Sequence, residues 1–160
     1  MSKAGEINNL SKLIQPHIGI ITNIGEAHIE NFKNIKDIAK AKGEILDNIK
    51  KGGTIILNRD DKFFSYLAGK AKFKKIKIVT FGKNKKSDVY PIKTSNNKNL
   101  IKMSVKVKDQ NLDLSIKNIN IYNLLASLAL LKELNLNLEK IKNIFQNYEP
   151  CLLYTSPSPR

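Results

Sequence analysis

The sequence predicts an α/β fold, with a mostly parallel sheet, flanking helices and a small antiparallel section appended to the sheet. In the first half of the chain, short apolar runs alternate with segments of helical periodicity, which is typical of consecutive βα units. After residue 87, three segments alternate apolar and polar residues at period two, as half-exposed strands do. A strongly apolar helical segment then follows these strands.

Helices and strands alternate in the first half of the chain. Apolar spacing predicts helices over residues 5–13, 35–49 and 63–67, and apolar runs predict strands over 18–21, 54–57 and 76–81. Pro16 ends the first helix, and Gly52 with Gly53 ends the second. Asp60 and Asp61 are predicted to form a turn and to cap the third helix.

The second half of the chain is predicted to contain three antiparallel strands followed by two helices. The strands cover residues 88–94, 100–108 and 111–116, and the helices cover 121–134 and 138–145. In the middle strand, the alternation places Met103, Val105 and Val107 inward and the intervening lysines and serine outward. Residues 109–111 are the predicted hairpin connection, although they lack the preferred Asn-Gly pair.

The composition is that of a globular domain without membrane or secretion signals. The chain has 160 residues, of which 41% are hydrophobic and 26% charged, enough for one domain with its own core. It contains no apolar run of the ~20 residues that cross a bilayer, and its amino end has no signal-peptide pattern. We therefore expect a cytoplasmic protein without membrane insertion. Cys151 is the only cysteine, which excludes an internal disulfide and a multi-cysteine zinc site.

The net charge of +14 raises the alternative of a non-catalytic, basic nucleic-acid-binding module. The positive charges, however, are almost all lysines scattered over every segment, with arginine only at positions 59 and 160. The chain also lacks the arginine and aromatic clusters that usually read nucleic acids. Because Lys, Asn and Ile dominate and have codons rich in A and T, a biased genome explains the charge equally well. We expect no nucleic-acid partner.

Two side chains near the first strand are candidates for a metal site. His28 ends the segment Ile-Ile-Thr-Asn-Ile-Gly-Glu-Ala-His, in the loop after a buried strand, where open α/β sheets bind ligands. Lys42 follows fourteen positions later in Ala-Lys-Ala-Lys-Gly-Glu. Taken alone, a histidine near a strand end is more often structural or exposed than a ligand, and a lysine in this lysine-rich chain more often lies on a solvated helix face.

Two asparagines precede and open the apolar helix, in the segment Asn-Ile-Asn-Ile-Tyr-Asn-Leu-Leu-Ala. The amides of Asn120 and Asn123 can both donate to and accept from the edge of an adenine. Asn120 is equally well placed to cap the helix, and the two roles are compatible.

Together, these segments resemble the Mur ligase family, the ATP-dependent amide ligases of cell-wall synthesis, and in particular its MurF-type, dipeptide-adding class. The resemblance implies that residues 1–150 are part of a P-loop-type central domain. It implies that ATP and Mg²⁺ are the cofactors, that His28 and a carbamylated Lys42 hold the metal as catalytic residues, and that Asn120 and Asn123 bind the nucleotide. A UDP-linked muramyl tripeptide and D-alanyl-D-alanine would be joined through an acyl phosphate. Another Mur-type or a folylpolyglutamate-type ligase remains an alternative.

The resemblance has one departure and one chemical requirement. The family pattern Gly-x-His-Asn-x-x-Asn has Lys117 and Ile119 here in place of its glycine and histidine. Reaction of Lys42 with CO₂ needs a neutral amine, and hence a lowered pKa. The resulting carbamate is a far better ligand for Mg²⁺ than an ammonium. Lys40, two positions earlier on a different helix face, is a built-in control.

The ends of the sequence carry separate expectations. The opening residues resemble the interior of a family segment, so we expect the phosphate loop and a glutamate metal ligand before Met1 and a further domain after Pro150. The chain alone would then be inactive; we expect it to be monomeric. Residues 151–160 contain no Lys, Asn or Ile and resemble a translated sequencing adapter, so we expect a non-native tail. A genuine tail is the alternative.

Overall fold

The computed structural model describes residues 3–25, 29–97, 100–117 and 119–147, and the elements below belong to those ranges. The predicted tail at 151–160 lies outside the described residues. The helices are α1 Glu6–Ile14, α2 Ile35–Lys42, α3 Phe64–Phe73, α4 Ile121–Glu133 and α5 Leu138–Asn147, with short 3₁₀ helices at Ile29–Asn31 and Gly43–Asp47. The strands are β1 Ile18–Ile21, β2 Thr54–Asn58, β3 Lys77–Phe81, β4 Val89–Asn97, β5 Leu100–Val107 and β6 Gln110–Lys117.

The six strands form one sheet in their order along the chain. Strands β1, β2 and β3 are parallel, and β3 continues to β4 through a single parallel pair, Phe81 with Val89. Strands β4, β5 and β6 are antiparallel. The predicted fold class, a mostly parallel sheet with flanking helices and an antiparallel section, is confirmed.

Two hydrophobic clusters lie on opposite faces of the sheet. Ile55 and Leu57 of β2 belong to the cluster with α2 and α3, whereas Ile56 belongs to the cluster with α4, because successive strand residues point to opposite faces. All five residues of β2 are buried, as expected for a strand covered on both faces. In β5, Met103, Val105 and Val107 are 3%, 0% and 0% exposed, which confirms their predicted inward orientation.

The second predicted helix is in fact two segments, because α2 ends at Lys42 and a 3₁₀ helix follows. The carboxylate of Glu44 accepts hydrogen bonds from the backbone N–H groups of Gly5 (2.8 Å) and Asn8 (3.0 Å). These N–H groups begin α1 and have no partner within that helix. A contact between distant elements thus holds this segment against α1, and helical periodicity alone does not predict it.

The hairpin between β5 and β6 also differs from its prediction. Val107 pairs with Gln110, so the connection is Lys108 and Asp109 rather than residues 109–111. Lys108 has a φ of 51°, the left-handed conformation that such tight turns require. None of the described helices is long and apolar enough to span a membrane.

Candidate functional site

A cavity of about 680 Å³ opens at the carboxyl ends of β1 and β2, beside the first turn of α4. Three segments line it: the loop after β1 at residues 22–24, the end of β2 and its following turn, and the start of α4. Most of the lining side chains are polar amides, carboxylates and hydroxyls. Ligands of open α/β sheets bind at this edge, and a volume of roughly 300–1,000 Å³ suits a small molecule.

Hydrogen bonds tie the loop after β1 to the turn after β2. Asn58 donates from Nδ2 to the carbonyl oxygen of Thr22 (3.1 Å). Asp61 accepts from the backbone N–H of Ile24 through Oδ2 (2.6 Å). Both loops therefore form one wall of the cavity, although they are separated by more than thirty residues in the sequence.

The predicted capping role of Asp60 and Asp61 is only partly observed. Asp61 Oδ1 accepts from the backbone N–H of Phe63 (2.8 Å), which forms the predicted turn. Helix α3 begins at Phe64, however, and its N-cap residue, Phe63, makes no side-chain cap bond. Asp61 therefore forms the predicted turn but is not the N-cap of α3, and its second oxygen binds the loop after β1.

Lys42 lies against the same loop after β1. Its Nζ donates to the carbonyl oxygen of Asn23 (2.8 Å) beside a smaller cavity of about 230 Å³, which shares Thr22 and Asn23 with the larger one. The side chain is partly buried. Burial lowers the pKa of Lys42, and the negative charge of Asp61 offsets part of this effect.

Lys40 has a different environment on the same helix. It is exposed, and its Nζ pairs with Asp37 at 3.3 Å. The two lysines therefore differ in burial and in their partners.

His28, the other predicted metal ligand, lies outside the described residues. The described part of the chain contains no group of three or more His, Cys, Asp or Glu side chains that could hold a metal.

Asn120 and Asn123 both line the large cavity and are exposed to it. Asn120 Oδ1 accepts from the backbone N–H groups of Tyr122 (2.9 Å) and Asn123 (3.3 Å), so it caps α4. Because these bonds use only the oxygen, they leave the amide NH₂ group for another acceptor. The contact to a nucleotide base remains a prediction.

Three side chains at this site were not predicted from the sequence. Burial of Tyr122, followed by the charge and hydrogen bonding of the Asp60 carboxylate, raises the pKa of the Tyr122 phenol. The ammonium of Lys83 lies 5.4 Å from the centroid of the Tyr122 ring. The sequence could have pointed to Tyr122 only through its position between two asparagines. It gave no sign that Asp60 and Lys83 lie beside this ring, because both are distant from Tyr122 along the chain.

This fold and cavity are those of an α/β domain with a candidate small-ligand site at the carboxyl ends of its parallel strands. The family model of the Mur ligase middle domain matches residues 1–131. The chain therefore belongs to the Mur ligase family, which confirms the resemblance noted in its sequence.

Individual relatives and solved structures agree with this family. A UDP-N-acetylmuramoyl-tripeptide–D-alanyl-D-alanine ligase from Buchnera aphidicola subsp. Baizongia pistaciae is 31% identical over 144 residues, which cover 86% of this chain and 30% of that protein. The crystal structure of MurF from Acinetobacter baumannii has a TM-score of 0.85 at 24% identity, covering 95% of this chain and 33% of the other. A MurF ligase from Thermotoga maritima in complex with ADP has a TM-score of 0.78 at 19% identity, covering 93% and 34%.

The structural similarities, both below 25% identity, show the fold alone. This chain spans 20% to 30% of the lengths of the first curated relatives that it matches.

Proposed function

We propose that the chain is part of an ATP-dependent amide ligase of the MurF type, which adds D-alanyl-D-alanine to a UDP-linked muramyl tripeptide. The observation that carries this proposal is the convergence of Asn120, Asn123 and the loops after β1 and β2 on one cavity, with Lys42 against the same loop. Family membership and the name of the Buchnera relative support the choice of substrates.

The proposed reaction needs charge neutralisation and positioning more than a protein nucleophile. The peptide carboxylate attacks the γ-phosphorus of ATP, so that ADP leaves and an acyl phosphate forms. The amine of D-alanyl-D-alanine then attacks the carbonyl carbon, a tetrahedral intermediate forms, and phosphate leaves with the bonding electrons. The amine loses its proton as the amide forms.

The proposed metal ligands are His28 and carbamylated Lys42, with Mg²⁺ neutralising phosphate charge when it is bound. The surroundings of Lys42 fit this role, because a lowered pKa increases the neutral amine that attacks CO₂. That attack forms a C–N bond and releases one proton, and the product carries two oxygens of the kind that Mg²⁺ prefers. The hydrogen bond to Asn23 places the amine at the loop that leads to His28.

The proposed nucleotide contacts are the amide NH₂ of Asn120 and the amide of Asn123. ADP in the Thermotoga relative supports a nucleotide as the ligand of this fold. The side-chain oxygen of Asn120 caps α4, and its NH₂ group is left to donate to a ligand in the cavity. Asn120 can therefore cap the helix and bind the base at the same time.

The proposal is tested by ADP binding to this chain, measured by titration calorimetry. Asn120→Asp keeps the capping oxygen but removes the two donors, and Asn123→Ala removes the second amide from an exposed position. Each is expected to weaken ADP binding by roughly 5- to 100-fold, the effect of losing a hydrogen bond that leaves a polar group unpaired. Asn135→Gly, just after α4 and outside the described cavity lining, is the control, because glycine tolerates the φ of 56° at this position. Unchanged affinity in both site variants would contradict the assignment.

A further inference from the structure

The ring of Tyr122 lies in the wall of the large cavity, between Asn120 and Asn123 in the sequence. Two charged groups lie beside it: the carboxylate of Asp60, which lines the same cavity, and the ammonium of Lys83 at 5.4 Å from the ring centroid. A cation over an aromatic face is attracted by the ring quadrupole. The ring therefore has a defined position before any ligand binds.

Asp60 is itself held by the loop after β3. Its carboxylate accepts from the backbone N–H groups of Lys83 and Asn84, the latter at 3.2 Å. Gly82 has a φ of 155°, and a Cβ there would lie within 3.0 Å of the carboxylate. The close approach of this loop to Asp60 thus depends on glycine. Three elements, the turn after β2, the loop after β3 and the start of α4, therefore meet beside Tyr122.

The ring gives the cavity a surface that its other lining residues lack. Amides and carboxylates offer hydrogen bonds to the edge of a flat ligand, and among the described lining residues only Ile24, besides Tyr122, offers a large apolar side chain. A nucleobase needs both kinds of contact, since its edge carries donors and acceptors and its faces are apolar and polarisable. Stacking on an aromatic side chain changes affinity by roughly 5- to 100-fold per base.

We infer that Tyr122 is a further nucleobase-binding residue, whose ring stacks on the base that Asn120 and Asn123 contact at its edge, and that Asp60 is its positioning residue. This inference rests on the proposed function of the cavity as a nucleotide site. It assigns a role to a position between the two asparagines that the family pattern leaves open.

The absence of tryptophan from the sequence allows a direct test by fluorescence. Tyr122→Trp introduces a single indole at the cavity, and Tyr66→Trp introduces one on α3, where Tyr66 is 44% exposed and outside the cavity lining. ADP is expected to quench and shift the emission of the Tyr122→Trp variant and to leave that of Tyr66→Trp unchanged. Ribose 5-phosphate, which lacks the base, is expected to change neither. An ADP-insensitive Tyr122→Trp variant that still binds ADP by calorimetry would overturn the inference.

Affinity measurements distinguish stacking from a merely structural role. Tyr122→Leu keeps apolar bulk but removes the ring, and is expected to weaken ADP binding by roughly 5- to 100-fold. Tyr122→Phe keeps the ring and loses only the bond to Asp60, so a loss of about 2- to 5-fold is expected for a single positioning hydrogen bond. Circular dichroism at the assay temperature checks that each variant is folded.

The outcomes separate this inference from the proposed function. If Tyr122→Leu binds ADP like the unchanged chain while Asn120→Asp does not, the stacking role is wrong and the nucleotide site stands. If the unchanged chain binds neither ADP nor adenosine at millimolar concentration, the cavity is not a nucleotide site and both proposals fail. A loss of roughly 5- to 100-fold in Tyr122→Leu, together with the smaller loss of about 2- to 5-fold in Tyr122→Phe, supports the inference.

Discussion

At the scale of single residues, the two lysines of α2 show how environment separates chemically identical side chains. Lys42 is partly buried and donates to a backbone carbonyl, whereas Lys40 is exposed and pairs with Asp37. The sequence predicted that the two lysines lie on different helix faces, because residues two positions apart in a helix point in different directions. It could not predict the lowered pKa, since desolvation depends on elements packed around Lys42.

We predict that Lys42 reacts reversibly with bicarbonate-derived CO₂ and that Lys40 does not. The neutral amine is the reactive form, so the carbamate should increase as pH rises, and at lower pH than for an ordinary lysine, because the pKa of Lys42 is lowered. Carbon-13 NMR with labelled bicarbonate should show a carbamate signal in the chain. That signal should be lost in Lys42→Ala and kept in Lys40→Ala. A signal that survives Lys42→Ala would assign the carbamate to another amine.

At the scale of elements, the junction of α1 with the 3₁₀ helix after α2 depends on one carboxylate. Glu44 satisfies two N–H groups at the start of α1, and Asn48 donates from Nδ2 to Asn8 and Ser11 of the same helix. Apolar periodicity predicted both helices, but this side chain decides how they are joined. The bond partners are about forty residues apart, beyond the reach of local pattern.

We predict that Glu44→Ala lowers the free energy of unfolding by about 1–2 kcal/mol, the usual effect of losing a helix cap. Hydrogen exchange measured by NMR should become faster at the amides of Gly5 and Asn8, because their acceptor is gone. Glu44→Gln keeps one side-chain oxygen as an acceptor and should have an intermediate effect. Equal protection of both amides in Glu44→Ala and the unchanged chain would show that the cap contributes little.

At the scale of the whole molecule, Glu133 connects the parallel and antiparallel parts of the sheet from the end of α4. Its carboxylate accepts from Thr54 of β2 (2.9 Å) and Lys77 of β3 (2.5 Å), and Lys108 of the β5–β6 turn lies at 3.4 Å. Burial alone would raise the pKa of Glu133. Hydrogen bonds from Lys77 and Thr54 and the charges of both lysines outweigh burial, so its pKa is lowered overall.

We predict that Glu133→Gln lowers the free energy of unfolding at pH 7 by about 1–3 kcal/mol, the contribution of a hydrogen bond to a charged group. Because the folded-state pKa is lowered, this stabilisation is present above the unfolded pKa of about 4.3 and is lost as pH falls through the folded value. The difference between variant and unchanged chain should therefore shrink in urea denaturation at pH 3. Glu139→Gln, an exposed residue of α5, is the control. A difference that is the same at pH 7 and pH 3 would contradict a role for the charge.

The sequence by itself determined the order of the strands and main helices, the antiparallel section and the family, because hydrophobic period and short motifs are local properties of the chain. It also placed Asn120 as a cap, since capping involves only neighbouring residues. Only the tertiary structure decided which side chains share the cavity, why Lys42 differs from Lys40, and how Asp60 and Lys83 hold Tyr122. These depend on the parallel sheet bringing the ends of distant strands to one edge, where desolvation and hydrogen bonding act between residues that are far apart along the chain.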